Sequence, residues 1–330
     1  GDADDAVVLE RLLVRAARGD VEAVGPALVA RVRAGGPDAA LAREGLVTGL
    51  LQRFRWAEAD RVLAGWLADA PDDTAALVFK GKFEEQRQLL EPASQTYRRV
   101  VELDPGHDDA RLRLATLLVA NRRGEEALAH LDELRRRLPT HPEVAVLWAK
   151  ALALQGRAAE GRAVVEACLA RHPDYPAALA ERGGLALLDG DEAAAARDLA
   201  RAAELDPGNT AVRAQYALVL ARLGRAAEAA QQQERVAQLQ ADTERVTALI
   251  IGPLQTRPND PGVPHEIALI ALRAGQVREA LRWFEAALTA DPDHLPTHRA
   301  LAALYHEIEN PALAARHRAV AQRLSAQPKP

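Results

Sequence analysis

Prolines stand at Pro37, Pro71, Pro105, Pro139, Pro173 and Pro207, each 34 residues after the one before. A period of that size marks an array of supersecondary units, each too small to bury its own apolar face and each stabilised by stacking on its neighbours. Within a unit the apolar residues recur at three and four. Leu112, Leu114, Leu117 and Leu118 do so in the first half of one unit, and Ala127, Leu128, Leu131 and Leu134 in its second half. That spacing belongs to helices rather than strands, so each unit reads as two helices closed by a proline, and the chain as all-α.

The small residues keep the same register. Counting from the start of each unit, the eighth position holds Gly81, Ala115, Ala149, Gly183, Ala217, Ala268 and Ala302, and the twentieth holds Ala59, Ala93, Ala127, Ala195, Ala229, Ala280 and Ala314. Small side chains there let two helix backbones approach closely. The twenty-fourth carries a bulky filler: Leu63, Tyr97, Leu131, Val165, Leu199 and Phe284. Gly156, Gly190, Gly224 and Gly275 fall between the two helices, where a positive φ is cheap for glycine. On these positions nearly the whole chain resembles the tetratricopeptide-repeat family. The resemblance implies an α-α superhelix, a solenoid of helix-turn-helix repeats, expected to be right-handed.

A repeat array grows by adding units, so the 330 residues are expected to form a single solenoid, 1–330. Its repeats are expected near 6–39, 40–73, 74–107, 108–141, 142–175, 176–209 and 210–241, then, after an irregular stretch with its return at 242–260, near 261–294 and 295–324. The ladder breaks where Ala241 replaces the expected proline, and the next prolines, Pro258 and Pro292, resume one and a half repeats out of step. From Arg225 to Ile251 there is neither Gly nor Pro, and Val236, Leu239, Val246, Leu249 and Ile250 sustain a helical stripe. One overlong helix over about 226–251 is expected, with two separate helices as the alternative. Its later turns, 242–254, then need cover, from the eighth repeat or through self-association. At the start, Asp2, Asp4 and Asp5 are placed to cap the first helix. At the end, Pro311 opens a last helix with a polar outer face, and SAQPKP reads as a frayed tail.

The residues hold little that suggests chemistry. A net charge of −5 and a pI near 6.0 lack the basic footprint of a nucleic-acid binder, and four residues each of Trp, Tyr and Phe leave few rings for base stacking. No apolar run approaches the length of a membrane span, so the chain is expected to be soluble, with the cytoplasm preferred over the periplasm. The single cysteine, Cys168, occupies a repeat position filled elsewhere by Ala202 and Ala287 and reads as a buried structural thiol. Gly81-Lys82-Phe83 lacks the glycine spacing and hydroxyl of a phosphate loop, and His265-Glu266 lacks the second histidine of a zinc-protease helix, because Leu269 stands there. His294, His298, His306 and His317 form the one titratable cluster, read as surface histidines. No catalytic residue, cofactor or metal site is expected, and the chain is read as a non-enzyme.

In the tetratricopeptide family the concave surface is lined by the second, fifth, ninth and twelfth positions of each first helix. Here Glu10, Val14, Glu44 and Thr48 fall there in the first two repeats, which does not suit the basic clamp that some members use to hold a terminal carboxylate. The central repeats offer Leu112, Thr116, Val119, Val146, Ala153, Ala180, Gly184, Leu187, Ala214 and Leu218, with Lys82 and Lys150 as the cations. The resemblance therefore implies a protein-interaction scaffold that takes a partner peptide or helix in a shallow apolar groove. The alternative is the recruiting arm of a larger enzyme or complex, which the absence of an initiator methionine before Gly1 leaves open.

Overall fold

The computed structural model describes residues 2–53, 55–257 and 259–326, with side chains from Asp5 onward. The expected ladder residue Pro258, the capping side chains of Asp2 and Asp4, and the tail beyond residue 326 lie outside the described residues. Every described element is helical. Two compact units can be distinguished, 1–168 and 169–330, with the division inside one helix.

Unit 1 contains the hairpins α1 (Asp2–Ala17) with α2 (Val21–Ala34), α3 (Asp38–Gln52) with α4 (Trp56–Asp69), α5 (Thr74–Gln86) with α6 (Leu90–Leu103), and α7 (Asp108–Ala120) with α8 (Gly124–Arg137). It continues through α9 (Pro142–Leu154) into α10 (Ala158–Arg171). Unit 2 contains α11 (Pro176–Leu188) with α12 (Glu192–Leu205), and α13 (Thr210–Arg222) with the long α14 (Ala226–Ile251). The one-turn α15 (Pro253–Thr256) follows, then α16 (Gly262–Arg273) with α17 (Val277–Ala290), and α18 (Leu295–Glu307) with α19 (Pro311–Ala326). The fold is the expected all-α array of helix-turn-helix units.

The local chemistry accounts for where helices stop. α4, α6, α8, α10, α12 and α17 each end two residues before a ladder proline. Proline cannot continue a helix and biases its predecessor out of the helical region. At α5, α7 and α13 the helix that follows is opened by a side chain accepting from its first turn: Asp73 from Ala76 N at 3.0 Å, His107 Nδ1 from Ala110 N at 3.2 Å, and Asn209 from Val212 N at 3.1 Å. Asp5 departs from the capping expectation. It lies inside α1, and its carboxylate accepts from Arg31 of α2 at 2.5 Å, tying the first hairpin together.

The close-contact positions are buried as the register requires. A Cβ added to Gly81 would sit 2.6 Å from two ring carbons of Tyr97, so the eighth-position glycine lies directly beneath the twenty-fourth-position ring. Gly183 lies beneath Leu199 in the same way, its added Cβ 3.0 Å from Leu199 Cγ. In the repeat starting at 142 the twentieth position is Gly161, which sequence reading passed over because no alanine stood there. A Cβ on it would meet the Ala149 carbonyl oxygen at 3.0 Å, so the backbones of α9 and α10 approach closely at this point. All four expected turn glycines have positive φ, but so do Gln88, Arg122 and Glu309 at the equivalent place in other repeats. The turn is imposed by packing even where a side chain makes it costly.

The long helix forms as expected and does not break at 240–243. A run of 26 residues at about 1.5 Å each makes it about 39 Å long. Its apolar stripe is covered by α16: Leu249 is 2% exposed, Val246, Ile250 and Leu254 are half-buried, and only Ile251, at 72%, faces outward. Ion pairs fix that cover. Arg273 donates to both oxygens of the buried Asp242 at 2.7 and 3.1 Å, and Arg245 pairs with Glu266 at 2.7 Å. The return brings the α16–α17 turn onto the ladder turn after α12, where a Cβ on Gly275 would lie 2.4 Å from Pro207 Cγ. Only glycine fits there, both for its φ of 75° and for that approach.

Candidate functional site

The second, fifth, ninth and twelfth positions of first helices should share one face, because steps of three and four residues return to the same side of an α-helix. In unit 1 they do. α5, α7 and α9 enclose a recess of about 190 Å³ lined by Glu85, Asp109, Leu112, Arg113, Thr116, Leu117 and Glu143. Leu112 and Thr116 were expected on this surface. Glu85, Asp109 and Glu143 were not singled out, although they occupy the twelfth and second positions of the same helices. The rule that found the leucine also finds the carboxylates.

The recess has an apolar floor and an acidic rim. Arg113 donates to Glu85 Oε2 at 3.2 Å and to Asp109 Oδ2 at 3.3 Å, so one guanidinium is shared between two carboxylates. Glu143 is exposed and forms no ion pair among the described residues. The second oxygen of Glu85 is buried without a hydrogen-bond partner, as is the Tyr97 hydroxyl. Burial, and then the Glu85 carboxylate, push the Tyr97 phenol far above its ordinary range, so it stays protonated. Three carboxylates against one guanidinium leave the rim negative, which suits a cation. The volume falls below the roughly 300 Å³ at which small-molecule pockets begin, so the recess has room for a side chain rather than a cofactor.

The other expected groove residues divide by unit. In unit 1, Val119 and Ala153 are half-buried, Lys150 is exposed, and Lys82 is exposed with its ammonium 5.8 Å from the centre of the Phe79 ring. Val146 is only 3% exposed. It is buried, as is Val78 at the same position two hairpins earlier, and has no surface to offer a partner. In unit 2, Ala180, Gly184 and Leu187 are half-buried on α11, while Ala214 and Leu218 are exposed on α13, Leu218 by 50%.

The histidines assort differently from the expectation. His306 lines a separate recess of about 660 Å³ between α18 and α19 with Ala302, Ala303, Arg318 and Ala321, and stands apart from the others. His298 and His317 instead meet directly, and His265 joins His294 across Thr297. These are packed rings rather than surface histidines, His298 being 6% exposed. Among the described residues no three His, Cys, Asp or Glu side chains converge as metal donors. Cys168 is buried, its Sγ 4.0 Å from the Pro142 carbonyl oxygen. Among the described residues no helix is long and apolar enough to cross a membrane.

Comparison with known proteins bears on the repeat itself. Residues 87–151 and 146–210 each match a family model described as tetratricopeptide repeat. No curated protein matches the chain. Among solved structures, PilW, a type IV pilus biogenesis factor, is 18% identical and superposes with a TM-score of 0.50, covering 62% of this chain and 94% of its own. That likeness shows the shared fold. A chain of the APC/C hetero-tetramer Cut9-Hcn1 is 16% identical at a TM-score of 0.44 over 89% of this chain, which spans 61% of that neighbour's length.

Proposed function

Because this chain is a tetratricopeptide-repeat protein, a fold that serves generally as a non-enzymatic interaction scaffold, we propose that it binds a partner segment along the first helices of unit 1. The observation that carries this reading is the recess between α5, α7 and α9, lined by residues of three successive first helices. The partner is an extended or helical segment with an apolar side chain over Leu112 and Val119 and a lysine or arginine entering the rim of Glu85, Asp109 and Glu143. Apolar burial supplies affinity, and the charge sets orientation and on-rate.

Lys82 and Lys150 lie on α5 and α9, the helices that also supply Glu85 and Glu143 to the acidic rim. They suit acidic residues on either side of the partner's cation and so would fix its polarity. In unit 2, Ala180, Gly184, Leu187 and Leu218 provide a second apolar strip for the same use. Recruitment into a larger complex is compatible with this site and differs only in what carries the bound segment.

A peptide-display selection on the intact chain tests the reading. Selected sequences are expected to combine an aliphatic residue with a lysine or arginine at fixed spacing. Their binding should be lost in Leu112→Asp and Asp109→Lys variants whose circular dichroism matches the parent. Selected peptides without a basic residue, or binding that survives both substitutions, would place recognition elsewhere.

A further inference from the structure

Three repeats place a polar side chain at the fourth position of the first helix, six residues after a ladder proline, and each bonds that proline's carbonyl. Arg111 donates to Pro105 O at 2.6 Å, Arg213 to Pro207 O at 2.9 Å, and His298 uses Nε2 on Pro292 O at 2.9 Å. Each also meets the twenty-third position, on the second helix of its own hairpin. Arg111 lies beside His130, Arg213 donates to Gln232 Oε1 at 2.8 Å, and His298 Nδ1 lies 2.9 Å from His317 Nδ1. In the first two pairs the clamp on the carbonyl is permanently charged. In the last hairpin both members are imidazoles.

The protonation states follow from the acceptors. A carbonyl only accepts, so His298 Nε2 carries hydrogen and, in the neutral ring, Nδ1 is bare. The hydrogen between the two rings therefore belongs to His317 Nδ1. A first proton can enter on His317 Nε2 without breaking this bond, and the resulting cation stacks on Tyr305, whose ring is 5.6 Å away at 14°. A second proton has only His298 Nδ1 to go to. It puts two N–H groups and two cations head to head at 2.9 Å. We propose that the His298–His317 pair is an acid-sensitive latch that holds α19 on α18 and releases it when both rings ionise.

The surroundings make the second proton hard to accommodate. Burial first, then His298 and Arg316, push His317 below its ordinary value near 6.5. Nearby, His265 of α16 and His294, which precedes α18, share the Thr297 hydroxyl at 3.0 and 2.7 Å, their ring centres 5.3 Å apart. His265 also lies 5.7 Å from Phe284 of α17. Burial lowers both of these histidines too, and Asp291 and Asp260, which favour the charged form of His294, do not overcome it. Thr297 is fully buried, and its hydroxyl hydrogen needs one unprotonated ring. Native values below the unfolded one mean that the stabilisation is complete above about pH 6.5 and is lost as pH falls through the lowered values.

The test uses the full chain and amide hydrogen exchange, corrected for intrinsic rates, at pH 7.5 and pH 5. Protection in α18 and α19 should fall by at least about tenfold on acidification, while α11–α12, which carries no such pair, changes by less than about threefold. Replacing the pair by the one found in the α13–α14 hairpin, His298→Arg with His317→Gln, should abolish the extra loss. If that double variant does not fold, His317→Gln alone is read the same way. An equal loss in both hairpins of the parent, or an undiminished loss in α19 of the variant, overturns the latch. In the parent at pH 7.5, imidazole ¹⁵N spectra should show the ring hydrogen of His298 on Nε2 and that of His317 on Nδ1, and the reverse tautomers would also overturn it.

Discussion

Adding one methyl group to Gly81 tests how the array is packed. The new Cβ of Gly81→Ala would lie 2.6 Å from two carbons of the Tyr97 ring, where carbon atoms rest at about 3.5 to 4.0 Å, so the ring must withdraw by about 1 Å. Tyr97 is fully buried among Leu77, Ala93, Leu114 and their neighbours, and has nowhere to go. Overpacking of this kind costs about 1 to 3 kcal/mol, offset by about 1 kcal/mol of helix propensity, so the single change is expected to be mildly destabilising. The decisive quantity is the coupling. Tyr97→Leu alone opens a cavity that the methyl added by Gly81→Ala then partly fills, and the double variant reproduces the Ala115 and Leu131 pairing of the next repeat. A double-mutant cycle should give a favourable coupling of about 1 to 3 kcal/mol. Urea titration followed by tryptophan fluorescence, fitted with a nearest-neighbour model because repeat arrays are not strictly two-state, supplies the four free energies. Additivity within about 0.5 kcal/mol would refute the eighth-to-twenty-fourth contact as the unit of packing.

Other outcomes follow from the same coordinates. Glycine in place of Gln88, Arg122 or Glu309 should raise stability by about 0.5 to 1 kcal/mol each, by relieving a left-handed backbone, and a lowered midpoint would count against the imposed turn. Gly183→Leu and Ala195→Leu should each cost about 1 to 3 kcal/mol or more, since a Cβ on Gly183 already meets Leu199 at 3.0 Å, and unchanged melting would contradict the register. Arg273→Met should cost about 2 kcal/mol by stranding the Asp242 carboxylate, which lies below the usual carboxylate range because Arg273 bonds it. That loss should vanish at pH values low enough to protonate Asp242, because a lowered carboxylate contributes fully above its unfolded value near 3.8 and loses that contribution as pH falls through its lower native value. Val146→Glu should unfold α9 locally while Leu218→Glu is tolerated, which circular dichroism and proteolysis can distinguish.

The repeat made most of the fold legible. Proline at a fixed interval ends helices whatever its neighbours are, and alanine or glycine at contact positions carries no alternative meaning in so regular an array. The overlong α14 was legible too, because a stretch without Gly or Pro has no reason to stop. What escaped was set by partners distant in sequence. Asp5 could be read as a cap because Arg31 is a helix away, and Val146 could be read as groove because the fifth position is half-buried at Leu112 but fully covered at Val146. Gln88 and Arg122 give no sign of positive φ in their identity. The acidic rim was within reach: Glu85, Asp109 and Glu143 stand at counted positions, but their charge drew less notice than the apolar residues between them. The histidine pairs were hidden because His298 and His317 are 19 residues apart and meet only through the hairpin.

Carboxylate footprinting addresses the proposed site most directly. With a selected basic peptide at saturation, carbodiimide labelling read by mass spectrometry should fall at least about fivefold at Asp109 and Glu143, where a bound segment covers the rim, and stay unchanged at the exposed Asp132 of α8. Unchanged labelling at Asp109 and Glu143, with protection appearing on second helices such as α8 instead, would contradict the groove of α5, α7 and α9 as the place where this protein meets its partner.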